Sequence, residues 1–202
     1  MEKDIQKVVE ILKSGGVIAF PTDTVYGIGC NIFNISGIKR IFELKKREKT
    51  KPLAAHVGSF EQIELVAYTN NKYFEILAEK FLPGPVAIIL PKRNIVDDVV
   101  TCGLPNISIR FPDCPEAIQI ANELDAPIAA TSANISGMPS AIHHQDVYKY
   151  FPSELDFVLE AGTTKFKIES TIIDLTADSP RILRVGAVPI EEIESALNLK
   201  LK

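Results

Sequence analysis

The chain has 202 residues, 46% of them hydrophobic and 24% charged, which is enough apolar material for a sizeable core and excludes a generally disordered chain. Lys and Arg number 22 against 26 Asp and Glu, a formal charge of −4, which excludes a uniformly basic nucleic-acid coat but leaves room for a local basic cleft.

Ile5, Val8, Val9 and Leu12 recur at helical spacing and predict an amphipathic helix over 4–13, ended by Gly15-Gly16. Such a charged amphipathic start is not expected to be a signal peptide. The apolar run 17–20 predicts a buried strand. It feeds Pro21-Thr-Asp-Thr-Val-Tyr-Gly-Ile-Gly29, which reads as a loop. A second helix is expected over 36–46 with Ile38, Ile41 and Phe42 inward. It leads into a basic segment, 45–51, of five cations and one acid. The next strand is 53–57. Ser59-Phe-Glu-Gln62 has the capping-box pattern and opens a helix. Another helix spans 71–81, closed by Leu82-Pro-Gly-Pro85.

Residues 86–90 and 107–111 predict strands, and Pro115 opens a helix that runs to 124. A strand over 127–130 ends in Thr131-Ser-Ala-Asn-Ile-Ser-Gly137. Later strands are expected at 157–160, 171–175 and 181–185, with a last helix over 190–199. Helices and strands alternate, then strands dominate. The fold class predicted is α/β, a mixed sheet flanked by helices, in one domain over 1–202 with no repeat or dividing linker. Cys30, Cys102 and Cys114 lack zinc or redox spacing and read as small buried hydrophobes in a reducing compartment. The longest apolar runs are too short for a bilayer, so a soluble cytoplasmic protein is expected.

Familiar motifs are missing. There is no P-loop, Gly27-Ile-Gly29 lacks the third glycine of a dinucleotide fingerprint, and neither a nucleophile elbow nor a His-Glu-x-x-His helix occurs. His143 and His144 are adjacent, so their rings are expected to diverge, as surface or loop histidines. What remains are polar segments at the ends of apolar strands and helices: 22–24, 45–51, 106–110, 131–140, and 169–171 with Arg184. Hydroxyls, glycines and cations in such places suit a polyanion site on an α/β scaffold. Each segment also has a plain structural reading. The basic segment can be a solvated helix end, His56 a satisfied core histidine, and Ser132 and Asn134 turn formers. Alternation places Asn106, Ser108 and Arg110 on one strand face, with Ile107 and Ile109 on the other.

Taken together and in order, Pro21 to Gly29, Lys45-x-Arg47 with Lys51-Pro-Leu-Ala-Ala-His56, Leu82-Pro-Gly-Pro85, Ser108-Ile-Arg110, Thr131 to Gly137, Glu169-Ser-Thr-Ile-Ile-Asp174 and Ile182-Leu-Arg-Val-Gly186 resemble the YrdC-like family of L-threonylcarbamoyladenylate synthases. The resemblance covers about residues 5–190 and matches the short, single-domain form. It implies a twisted, open mixed sheet with a concave positive face. It implies a nucleotidyltransferase that joins L-threonine, bicarbonate or CO2, and ATP into threonylcarbamoyl-AMP and pyrophosphate. A partner transferase complex would then modify the adenosine next to the anticodon of tRNA. Around L-threonine the resemblance places Thr24, His56, Arg110, the Ala130 backbone and Ser170. Around ATP it places Lys45, Arg47, Lys51, Asn106, Ser132, Asn134, Ser140 and Arg184. Asn106 stands where many relatives have Thr, and Glu48 where Pro is common. No covalent catalytic residue and no protein metal cage are expected, with Mg2+ arriving on ATP. The composition of 45–51 suggests a lid. Contact with tRNA or double-stranded RNA is the rival reading, as is the carbamoyl-adenylate enzyme of hydrogenase maturation, which is much longer.

Overall fold

Alternating burial along short apolar runs sets the architecture of the computed structural model, which describes residues 2–201. In chain order the elements are α1 (Glu2–Lys13), β1 (Ile18–Phe20), β2 (Gly27–Asn31), α2 (Ile35–Leu44), β3 (Ala54–His56), α3 (Phe60–Val66), α4 (Lys72–Phe81), β4 (Val86–Pro91), α5 (Asp98–Thr101), β5 (Asn106–Arg110), α6 (Pro115–Leu124), β6 (Ile128–Ser132), α7 (His144–Tyr150), β7 (Phe157–Val158), β8 (Thr171–Asp174), β9 (Arg181–Arg184) and α8 (Ile190–Leu197). Among the described residues the strands form one sheet of order β7-β1-β2-β6-β3-β5-β4-β8-β9. Pairing is parallel for β1/β7, β3/β5 and β4/β8 and antiparallel elsewhere, so the predicted mixed sheet is found.

Helices cover the two faces unequally. On one face α1 and α6 pack over Ile18, Phe20, Ile128 and Ala130. On the other, α2, α3, α4 and α8 cover Ala19, Ile28, Ala55, Ile88, Ile109 and Ala129 in a larger cluster. The period-2 alternation of a strand explains the split. The first face is left open beyond α6, over β3, β5, β4 and β8. Register then lines up residues across that open face. His56 pairs with Arg110, Arg110 with Ala87, Ala87 with Ile172, and Ile172 with Arg184.

Several boundaries differ from expectation for local reasons. β2 is a strand where the sequence predicts a loop, because its glycines are poor strand formers. Gly29 is there because a Cβ would meet Ile128 Cγ2 at 2.6 Å across the strand pair. The short α5 and α7 carry too few apolar positions to show a period. At α3, Ser59 accepts from Gln62 N, but the Gln62 side chain reaches Gly58 N instead of closing the box. His143 and His144 do not diverge. His143 is the extended N-cap of α7, with Nδ1 accepting from Gln145 N, and its ring lies 4.0 Å from that of His144, centroid to centroid. Cys30 and Cys114 are buried, and burial pushes both thiols up to about 12, whereas Cys102 is only half-buried. No helix among the described residues is long and apolar enough to cross a membrane.

The C-terminal strands are locked by one hydroxyl. Thr171 Oγ1 donates to Val188 O at 2.6 Å and accepts from Gly186 N at 2.9 Å and Val188 N at 3.1 Å. Gly186 is pressed against the turn before β8, where an added Cβ would lie 2.1 Å from Glu169 O. Gly186→Ala therefore displaces Ser170 and Arg184 together. It is expected to destabilise by about 1–3 kcal/mol, the usual scale of overpacking, measured by denaturant unfolding.

Candidate active site

The open half of the sheet face forms the floor of a cleft of about 430 Å³. Strand alternation supplies the floor from β3 (Ala54, His56), β5 (Ser108, Arg110), β4 (Ala87, Ile89) and β6 (Ala130, Ser132). The walls are the 22–27 turn, the 47–52 loop and the paired segments holding Glu169, Ser170 and Arg184. Four cations, Arg47, Lys51, Arg110 and Arg184, line it against one acid, Glu169, in a chain whose net charge is −4. Low-dielectric walls carrying one sign of charge concentrate anions.

Thr22 shapes the first wall. Its Oγ1 donates to Val25 O at 2.6 Å and accepts from Thr24 N and Val25 N, a hydroxyl-closed turn. Thr22 and Thr24 reach the cleft, with Asp23 between them. Arg110 is 3% exposed and takes Asp23 as its counterion through Nη2. Its Nη1 donates to Gly84 O and, at 3.4 Å, to Val86 O. Gly84 is fixed by its surroundings, since a Cβ there would meet Phe81 O at 2.6 Å. The Leu82-Pro-Gly-Pro85 turn is thus a cradle for Arg110. Burial lowers the guanidinium pKa and Asp23 opposes that shift, so the charge is retained.

His56 sits beside Arg110 in the register and packs edge-on to Phe20, with ring centroids 5.7 Å apart. Burial and then the Arg110 guanidinium push the imidazole down to about 3, so it is neutral at physiological pH. Its Nδ1 is buried without a partner among the described residues. Arg184 Nε donates to Ser170 O at 3.0 Å. Glu169 is held below the usual carboxylate range by the Ser140 hydroxyl at 2.6 Å and, more weakly, by Arg184.

Thr24, His56, Arg110, Ala130 and Ser170 all line this cleft, as do Arg47, Lys51, Ser132 and Arg184. Lys45, Asn106, Asn134 and Ser140 do not. Lys45 is 1% exposed, and its ammonium donates to Ser132 O and Asn134 O, each at 2.5 Å, and to Asn134 Oδ1 at 3.0 Å. Burial and then Arg47 push Lys45 down to about 7, while its three acceptors match the three N–H of the charged form. The Asn134 amide is occupied by Lys45, Ser132 and Met138 O. These two residues tie the 132–136 loop to the end of α2. Asn106 opens β5 opposite Pro91, beyond Ser108 on the same face. Ser140 lines a neighbouring cavity of about 580 Å³ that shares Val25 and Glu169 with the cleft. The basic segment is also braced, because Arg47 donates to Lys51 O at 2.8 Å and Pro52 O at 2.9 Å. Lys51 pairs with Glu48 at 3.0 Å on the surface. Sequence reasoning did not single out Asp23. The signal available was a buried arginine on β5, which requires an acid nearby.

A family model described as "Telomere recombination" (Sua5/YciO/YrdC) matches residues 10–186. The chain is 41% identical over 186 residues to the threonylcarbamoyl-AMP synthase of Pyrococcus abyssi, covering 92% of this chain and 55% of that protein. It is 34% identical over 197 residues to the threonylcarbamoyl-AMP synthase of Bacillus subtilis, covering 97% of this chain and 57% of that protein. The chain thus spans about half the length of these two relatives. The crystal structure of P. abyssi Sua5 complexed with L-threonine superposes with a TM-score of 0.96 at 39% identity, covering all of this chain and 60% of that one.

The buried imidazole also affects stability. Unfolded, His56 binds a proton near pH 6.5; folded, only near 3. Between those values the unfolded chain holds the extra proton, so stability is lost as pH falls from about 6.5 toward 3. His56→Gln is expected to flatten the fall of Tm between about pH 6.5 and 4. Identical slopes for the variant and the parent chain would show that His56 is not buried in neutral form.

Proposed function

Because the chain belongs to the Sua5/YciO/YrdC family, we propose that its cleft joins L-threonine, CO2 or bicarbonate, and ATP into threonylcarbamoyl-AMP, releasing pyrophosphate. The observation that carries this reading is the excess of cations on one concave sheet face, with a buried, counterion-held arginine at its centre. Threonine carbamate and ATP are both anions, and bringing them together is the main electrostatic obstacle.

The amine of threonine adds to CO2 and loses a proton to give a carbamate. A carbamate oxygen then attacks the α-phosphorus, and the bond to the pyrophosphate oxygen breaks. Positioning and charge cancellation suffice for such a displacement. Arg110 takes the threonine carboxylate. Thr24, Ser170 and the neutral His56 orient the amine and hydroxyl, with the Ala130 backbone lining the same subsite. Arg47, Lys51 and Arg184 neutralise the triphosphate, and Ser132 contributes a hydroxyl. Asn106 and Ser140 border this nucleotide end. Among the described residues no group of three or more His, Cys, Asp or Glu could hold a metal. Mg2+ would enter with the nucleotide substrate, held by phosphate oxygens and water, with charge neutralisation as its contribution. The adenylate then passes to a transferase that modifies the adenosine next to the tRNA anticodon, in the cytoplasm where ATP and tRNA meet.

Incubation of the protein with ATP, Mg2+, bicarbonate and labelled threonine should yield labelled threonylcarbamoyl-AMP and threonine-dependent pyrophosphate. Steeply salt-dependent RNA binding without any adenylate would instead favour a nucleic-acid module. Arg110→Ala should lower synthesis about 100-fold, the scale of a charged anchor worth about 2–4 kcal/mol. Near-normal pyrophosphate release at low threonine would remove Arg110 from the carboxylate subsite.

A further inference from the structure

Asp23 lies between two cleft-lining threonines but is itself absent from the cleft wall. Its side chain is fully buried against Arg110. The 22–24 turn explains this. Oγ1 of Thr22 closes the turn and makes a 3.0 Å contact with Oγ1 of Thr24, and Asp23 is directed inward to Arg110. The turn is held from outside as well, because Phe166 N donates to Asp23 O at 2.8 Å and Cys114 Sγ contacts Pro21 O at 3.6 Å. Asp23 Oδ1 accepts from Arg110, and Oδ2 has no donor among the described residues.

Arginine presents its N–H groups in a rigid planar fork. Here Nη1 donates to the carbonyls of Gly84 and Val86, and Nη2 donates to Asp23. Nε–H and the second Nη2–H are left without a protein acceptor among the described residues. These two donors sit close enough together to grip the two oxygens of one carboxylate. The carbonyls hold the guanidinium from one side only. Without Asp23 the plane could swing about the Cδ–Nε bond and offer a different pair of donors.

We propose that Asp23 is a positioning residue: by holding one Nη2–H of Arg110 it selects the edge of the guanidinium presented to a carboxylate ligand. The inference rests on the proposed reading of the cleft only for the identity of that ligand as L-threonine. The positioning role depends on an acceptor oxygen at Asp23 Oδ1, while the negative charge serves separately as the counterion that lets Arg110 be buried. A second carboxylate beside Arg110 in fact competes with the ligand for the same cation. Asp23→Asn keeps an oxygen acceptor in the same place, and Asp23→Ala removes it.

Two measurements test this. In pyrophosphate release, Asp23→Ala should raise the KM for threonine tenfold or more and leave the KM for ATP within about twofold. Asp23→Asn should recover most of the loss. Equal rises in both KM values, or an Asn variant as impaired as the Ala variant, would overturn the positioning role. The second measurement needs no activity: the Arg110 Nη2–H signal, from the group that Asp23 holds, in guanidinium NMR of the full chain. It should be resolved and slow to exchange in the parent chain and in Asp23→Asn, and averaged in Asp23→Ala. If the parent chain makes no adenylate but this signal behaves as stated, the substrate reading fails and the positioning role stands. An unchanged signal in a folded Asp23→Ala protein would overturn it whatever the substrate.

Discussion

A guanidinium with almost no exposed surface governs the arrangement of the cleft. Arg110 could not be buried alone, because an unpaired charge removed from water costs many kcal/mol. Its partners come from separate segments: the 22–24 turn supplies Asp23, and the Leu82-Pro-Gly-Pro85 turn and the start of β4 supply carbonyls. Satisfying one side chain therefore fixes two turns at the rim. The charge also reaches its neighbour in the register, His56, and helps keep that imidazole neutral. The result is a site in which one cation is rigid and its surroundings are mostly uncharged hydroxyls and backbone.

The other cations are held differently. Arg184 is tied to the Ser170 carbonyl, and Arg47 braces the carbonyls of Lys51 and Pro52. Both use backbone oxygens, which fix direction without cancelling charge. Lys51 is the exposed member, paired only with Glu48 at the surface, where an ion pair contributes little and exchanges readily with a ligand. Such a gradient, from a clamped arginine at the floor to a surface-paired lysine at the rim, suits the proposed site, in which a small amino acid is oriented deeply and a polyphosphate is received from outside. The uneven coverage of the sheet makes room for it. Helices α1 and α6 seal one part of the face, and the remainder stays open over β3, β5, β4 and β8.

Much of this was legible along the chain. Apolar periodicity located α1, α2, α4 and α6 and most strands to within a few residues, because those elements bury one regular face. Segments without such a face escaped: the glycine-bearing β2, and the short α5 and α7. The polar segments at strand ends pointed to a cleft, and nine of the thirteen residues singled out there line it. Lys45 and Asn134 stand in the same motifs but look inward, where a buried ammonium serves as the knot of the 132–136 loop. From spacing alone a lysine that binds phosphate and a lysine that binds carbonyls look alike.

Local chemistry by itself determined the element types, the alternation that puts Ser108 and Arg110 on one side of β5, and the family to which the ordered motifs belong. Those properties depend on neighbours a few residues apart, and the chain states them directly. Tertiary structure alone decided which polar groups meet. The register across β3, β5, β4, β8 and β9 brings His56, Arg110 and Arg184 into one row. The meeting of Asp23 with Arg110 joins residues 87 positions apart. Charge pairing of that kind is set by the closure of long loops and by the cost of burying an ion, neither of which leaves a periodic trace in the sequence.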